Sequence, residues 1–265
     1  MLAEPQRVRL HCQTSGTGSP VLFLHGLFGS GSNWKRHAQE LAERYRVLLP
    51  DLRNHGRSPH VPSMDYRVMA EDVIGLLDAE ALDKVALVGH SMGGKVAMAL
   101  ALTRPERVAA LVVADIAPVV YGRHLRSYVD AMRRLSLTDI GSRAEADQAL
   151  ASAVTEPMIR QFLLTNLERR AEHYHWRIPL DILADQMPLL EGFPELTPNY
   201  SGPTLFIHGG RSQYVTKARH GIIRKLFPQT EFACIPETGH WLHVEAPEQV
   251  AELLWGFLAR TSFAA

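Results

Sequence analysis

Short, unbroken apolar runs alternate with longer amphipathic segments through the first 115 residues. Val21-Leu22-Phe23-Leu24, Val47-Leu48-Leu49, Val85-Ala86-Leu87-Val88 and Leu111-Val112-Val113-Ala114 are continuous rather than alternating in polarity, as strands buried on both faces are. Residues 7–13 alternate more and suit an antiparallel edge. Between these runs, residues 33–42, 66–82 and 94–103 carry apolar side chains at helical spacing, and Arg104-Pro105 closes the last of them. Strand alternating with helix predicts an α/β domain built on a mostly parallel sheet with crossover helices.

The pattern changes after Asp115. From about residue 119 to residue 200 the periodicity is helical, prolines are scattered and no run of buried strands stands out, which predicts a helical cap inserted into the domain. Alternation then resumes, with strands expected at 204–208 and 231–235 and helices at 216–227 and 247–259. The expected division is a core domain of residues 1–118 and 201–265 with a cap of residues 119–200.

Composition narrows the class of partner. Hydrophobic residues make up 46% and charged residues 21%, which suits a packed soluble domain. Lys plus Arg and Asp plus Glu both number 28, so no summed positive field exists to attract nucleic acid. The N-terminus carries charges and a proline where a signal peptide needs an apolar stretch, and nowhere do enough uncharged apolar residues run together to span a membrane. A cytoplasmic protein, monomeric or a small homo-oligomer, is expected. Cys12 and Cys234 lack metal-ligand spacing and read as buried thiols.

The sharp local signal is Gly89-His90-Ser91-Met92-Gly93, set directly between a predicted strand and a predicted helix. A G-x-S-x-G sequence in that setting makes a nucleophile elbow, a strained turn that lifts the serine Oγ clear of the sheet. A serine hydroxyl needs a base to take its proton, and the base needs a carboxylate to orient it. Of thirteen histidines, His240 in Glu237-Thr238-Gly239-His240-Trp241 is favoured, because that loop lies between the last predicted strand and the last helix. His90 reads as packing or loop support, His25 and His208 as structural residues ending strands, and His243 as facing solvent or the last helix. The loop His25-Gly26-Leu27-Phe28-Gly29 offers the amide of Leu27, which with the amide of Met92 would form an oxyanion hole.

These motifs resemble those of the α/β-hydrolase superfamily, and within it those of small bacterial YbfF-type carboxylesterases. The resemblance spans nearly the whole chain. It is carried by His25-Gly26-Leu27-Phe28-Gly29-Ser30, Gly89-His90-Ser91-Met92-Gly93-Gly94-Lys95, Asp115-Ile116-Ala117-Pro118, Gln161-Phe162-Leu163-Leu164 and Gly209-Gly210-Arg211-Ser212-Gln213-Tyr214-Val215. It implies an α/β-hydrolase fold with the cap inserted after the sixth strand, and a serine esterase that needs no metal or organic cofactor. Asp51-Leu52-Arg53-Asn54-His55-Gly56-Arg57-Ser58 is similar to a superfamily loop whose polar residues serve as support.

The acid departs from the general superfamily pattern. Most members carry it after the strand that follows the cap, where Gly209-Gly210-Arg211-Ser212-Gln213-Tyr214 has no carboxylate. Asp115 keeps the order Ser, Asp, His, and the resemblance to YbfF-type esterases implies the same position. The alternative is His240 oriented by a backbone carbonyl or by Glu237. The expected reaction is acyl transfer on a small-molecule ester, with Ser91 as nucleophile and His240 as base.

Substrate choice is expected to lie in the cap, with Phe28, Phe162, Leu163, Tyr174, Trp176, Ile178 and Trp241 as candidate pocket residues. Short to medium acyl esters are implied by the resemblance. Acyl-CoA thioesters are a weaker implication, for which Arg123, Arg126, Arg133, Arg134, Arg169 and Arg170 could meet phosphates. Competing readings are a carbon–carbon bond hydrolase on the same triad and a non-catalytic receptor of the same fold. Dehalogenase chemistry is disfavoured by serine at the nucleophile position.

Overall fold

A computed structural model of the chain describes residues 7–122, 124–197 and 199–261. In chain order the first half comprises β1 (Cys12–Ser15), β2 (Ser19–Leu24), α1 (Lys35–Leu41), β3 (Tyr45–Pro50), α2 (Tyr66–Ala79), β4 (Val85–His90), α3 (Met92–Thr103) and β5 (Val108–Ala114). The insertion holds α4 (His124–Arg134), α5 (Arg143–Leu150), α6 (Pro157–Leu164), β6 (Leu167–Arg170), β7 (His173–Trp176) and α7 (Leu180–Glu191). The chain then returns through β8 (Thr204–Gly209), α8 (His220–Leu226), β9 (Thr230–Ile235), α9 (Leu242–Glu245) and α10 (Pro247–Arg260).

Among the described residues, seven strands form one sheet in the order β1-β3-β2-β4-β5-β8-β9, with β1 antiparallel to β3 and every other pairing parallel. The continuous apolar runs are continuous because both faces are covered. In β2, Leu22 and Leu24 pack with Met69 and Val73 of α2 and Val96 of α3, whereas Val21 and Phe23 pack with Leu41 of α1 and Leu254 and Leu258 of α10. Helix α3 starts at the elbow and is buried on nearly every side, so its sequence is almost wholly small and apolar rather than amphipathic. Helix α2 starts where Asp65 accepts the amides of Arg67 and Val68 at 2.8 and 3.0 Å, a side-chain N-cap.

Four expectations are corrected. The edge strand expected at 7–13 is Cys12–Ser15, and residues 7–11 form no strand; among the described residues five strands, not six, precede the insertion. The cap is not wholly helical, since β6 and β7 pair as an antiparallel hairpin whose turn holds Ala171 at φ 52°. Only four residues per strand alternate there, with Leu167 buried and Arg169 and Arg170 exposed, too short a run to read as a strand. Cys12 is only partly buried and Cys234 is exposed, because β1 and β9 are the two edges of the sheet and lack a neighbour on one side.

The insertion leaves from β5 and returns into β8, its immediate neighbour in the sheet. Its apolar residues join the core beneath: Met132, Leu163 and Leu183 belong to the same buried cluster as Leu22 and Val96. The two stalks are tied together at the nucleophile's helix. The amide of Tyr121 donates to the carbonyl of Glu191 at 2.9 Å, and Lys95 Nζ donates to the carbonyls of Val119, Glu191 and Gly192.

Candidate active site

The turn between β4 and α3 places Ser91 at φ 51° and ψ −118°, a left-handed conformation that costs a non-glycine residue about 1–3 kcal/mol. The flanking glycines make the turn sterically feasible. A Cβ on Gly89 would lie 2.3 Å from the carbonyl oxygen of Gly93, and one on Gly93 would lie 2.4 Å from that of Leu24. The amide of Ser91 donates to the carbonyl of Ala114 at 3.0 Å, which fixes the turn to the end of β5.

Asp115 follows directly after β5, also at φ 51°, and is fully buried. Its amide still donates to Ile207 of β8 at 2.8 Å, so the backbone stays in the sheet while the side chain swings over its carboxyl edge. There Oδ2 lies 2.8 Å from His240 Nδ1, and His240 Nε2 lies 3.0 Å from Ser91 Oγ. A carboxylate only accepts, so Nδ1 carries the proton and Nε2 is free to accept from the hydroxyl. The three side chains form one hydrogen-bonded line although 149 residues separate Ser91 from His240.

Two residues without a role in the sequence reading complete this line. Ser212 Oγ donates to Asp115 Oδ2, and the amide of Gly209 donates to Oδ1 at 3.3 Å, so the buried carboxylate is satisfied by three donors. Tyr214 stacks on the His240 ring with centroids 4.1 Å apart, and burial pushes its phenol up to about 12. Both lie in the segment that lacks the usual acid. The absence of a carboxylate there was legible, but the hydroxyl that turns back toward β5 was not.

Four other histidines, all buried, brace the loops around the site. His90 Nε2 donates to the carbonyl of His240 at 2.8 Å and holds the loop of the base from below. His25 accepts the amide of Leu52 at 2.9 Å, and His55 accepts that of Phe28 at 3.2 Å, locking the loops after β2 and β3 to one another. Burial drives His55 down to about 3, so it stays neutral and can accept. His243 does not face solvent as expected. It is buried, stacked on Trp34 at 4.7 Å, and burial lowers it to about 3. In the loop after β3, Asp51 accepts the amides of Gly31 and Arg57, each at 2.8 Å, and Arg53 pairs with Asp72 in complete burial. These polar residues support the backbone around the site.

Two cavities meet at Ser91. The larger, of about 830 Å³, is lined by Phe28, Phe162, Leu163 and Trp241 among the candidate pocket residues, together with Ser91 and His240. Tyr174, Trp176 and Ile178 are not on its wall. They pack in the cap's own interior, where the indole of Trp176 donates to the carbonyl of Met132 at 3.1 Å, because the hairpin faces α4 rather than the sheet edge. The smaller cavity, of about 360 Å³, is lined by Leu27, Met92 and Ser91 on one side and by Lys95 and Glu191 on the other. Leu27 and Met92, whose amides the sequence singled out, thus border the same space as the serine. Burial brings Lys95 down to about 7. Among the described residues, no group of three or more His, Cys, Asp or Glu side chains could hold a metal, and no helix is long and apolar enough to cross a membrane.

A strained serine turn between strand and helix, on a parallel sheet with an insertion over its carboxyl edge, defines the hydrolase class of α/β proteins. The chain belongs to the α/β-hydrolase fold family, whose pattern it matches over residues 19–247. Among curated proteins it is 44% identical over 247 residues to the sn-1-specific diacylglycerol lipase ABHD11 of Mus musculus, covering 90% of this chain and 80% of that one. It is 36% identical over 249 residues to esterase YbfF of Escherichia coli strain K12, covering 93% and 95%. Among solved structures it is similar to a marine microorganism esterase, with a TM-score of 0.92 and 35% identity over 95% of this chain and 100% of the other.

Proposed function

We propose that the chain is a serine carboxylesterase in which Ser91, His240 and Asp115 act as a catalytic triad. The observation that carries this reading is the unbroken hydrogen-bonded line from Ser91 Oγ through the imidazole to Asp115. Ser91 Oγ attacks the ester carbonyl while His240 Nε2 takes its proton. Asp115 keeps the imidazole in the required tautomer and stabilises the imidazolium. The amides of Leu27 and Met92 receive the oxyanion. Collapse of the tetrahedral adduct breaks the bond to the alcohol oxygen, which takes the proton from His240 and leaves an acyl group on Ser91. Water, deprotonated by His240, then releases the acid and restores the serine.

Residues 119–200 act as the cap, and the apolar wall of the larger cavity, with Phe28, Phe162, Leu163 and Trp241, receives the hydrocarbon part of the substrate. The names of the relatives, an esterase and a diacylglycerol lipase, support carboxylic esters as the substrate class, which we read as esters of short to medium acyl chains. Two of the arginines considered for CoA phosphates are already engaged within the protein. Arg126 is engaged with Asp130 and the carbonyl of Ala184, Arg133 with Asp181, and Arg123 lies outside the described residues.

The test is a panel of p-nitrophenyl esters of increasing chain length, with fluorophosphonate labelling alongside, on the wild type and on Ser91→Ala, Asp115→Asn and His240→Ala. Labelling at Ser91 and loss of turnover in all three variants, each still folded, is the expected result. Undiminished turnover in Asp115→Asn refutes the acid, and absence of labelling refutes the nucleophile.

A further inference from the structure

The two cavities share Ser91, Leu27 and Leu125 but differ in chemistry and in access. The larger reaches solvent past Met158 and Val244, which are 55% and 59% exposed. The smaller has no exposed residue in its lining. An ester with its carbonyl at Ser91 Oγ has two halves to place, and both of these spaces border that residue.

Glu191, the last residue of α7, lines the smaller cavity and is 6% exposed. Its Oε1 is buried with no hydrogen-bond partner. Lys95 does not satisfy it, because the three hydrogen bonds of its Nζ go to the carbonyls of Val119, Glu191 and Gly192. A buried acceptor left unmade costs about 1–3 kcal/mol, and more where the group is charged, so a native structure that carries one needs a reason for it. The other polar neighbours are committed: Tyr66 donates to the carbonyl of Leu190 and Tyr121 to that of Tyr214. What the chamber offers a ligand is an acceptor.

We infer that the smaller cavity is a second substrate subsite, in which Glu191 accepts a hydrogen bond from a hydroxyl carried by the short half of the ester. This rests on the esterase reading and narrows it to esters with one apolar half and one short hydroxylated half. The space beside Glu191 is tight, so only a short group carrying the hydroxyl enters it. A short hydroxylated alcohol or a short hydroxyacyl group meets that chemistry.

The experiment compares matched esters, with kcat/KM as the readout. One arm sets 3-hydroxypropyl hexanoate against propyl hexanoate, and the other sets hexyl 3-hydroxybutanoate against hexyl butanoate. In the arm that matches the subsite, the hydroxylated ester is expected to exceed its partner by about tenfold, the scale of one hydrogen bond to a buried acceptor otherwise left unpaired. That arm identifies which half of the ester the chamber holds. In Glu191→Ala the ratio should collapse toward one whatever the absolute rates, and Glu191→Gln, which keeps an acceptor oxygen, should retain part of it. A ratio near one in both arms for the wild type overturns the subsite and leaves the esterase standing, as does a preference that survives in Glu191→Ala. Failure to hydrolyse any of the four esters sinks the esterase reading and the subsite with it.

Discussion

At the carboxyl edge of the sheet, Asp115 is wholly buried and meets three donors, while the base it faces is held through its ring, its carbonyl and the stack of Tyr214. In the insertion above, Arg133 and Asp181 pair at the surface, at 2.8 Å with side chains 42% and 84% exposed. The difference is one of redundancy. Asp115 and His240 are each fixed by several contacts, so losing one disturbs the others. Surface pairs of the insertion are screened by water and worth about 0–1 kcal/mol, so losing one should disturb little else.

The comparison breaks most readily at Asp115. Asp115→Asn should lower kcat for a p-nitrophenyl ester by about 10⁴-fold through the wrong imidazole tautomer, with an unchanged circular dichroism spectrum. A loss of less than tenfold would falsify the placement of the acid.

Acid should weaken the same buried edge before it reaches the carboxylates. His55 and His243 sit near 3 in the folded protein against an ordinary 6.5, so the unfolded chain binds more protons between those values. Their contribution is fully present above about pH 6.5 and is lost as pH falls toward 3, at about 1.4 kcal/mol per pH unit for each histidine. Urea midpoints should therefore drop steadily from pH 7 to pH 5, and His243→Phe should flatten the drop. A midpoint that stays level over that range would contradict the buried neutral histidines.

Effects in the cap should be smaller and selective. Phe162→Ala removes part of the apolar wall that faces Trp241, with ring centroids 5.8 Å apart. It should cut kcat/KM for a hexanoate ester by about tenfold while leaving an acetate ester within about twofold. Equal losses for both esters would show that Phe162 supports the site rather than the chain. Smallest of all, Arg133→Ala should shift unfolding free energy by less than about 1 kcal/mol and leave the ester profile unchanged. A larger shift would mean that the cap is held by its surface charges after all.

Much of this molecule is legible without coordinates. Continuous apolar runs betray strands covered on both faces, and the glycines around Ser91 betray a turn in which a Cβ has no room, so the fold and the elbow are written locally. Local patterns failed where burial depends on tertiary position: Cys12 and Cys234 lie on the two edge strands, and His243, in the short helix α9, is buried against Trp34. The hydroxyl of Ser212 on Asp115, the exclusion of Tyr174, Trp176 and Ile178 from the cavity wall, and the meeting of Lys95 with the stalks of the insertion each join residues remote in sequence. Their spacing carries no periodicity, because it is set by how the inserted segment closes over the sheet. The chain thus determines which chemical groups are available and where the backbone must bend. Only the folded arrangement decides which buried acceptors are satisfied and which, like Glu191, are left open in the cavity that Ser91 also lines.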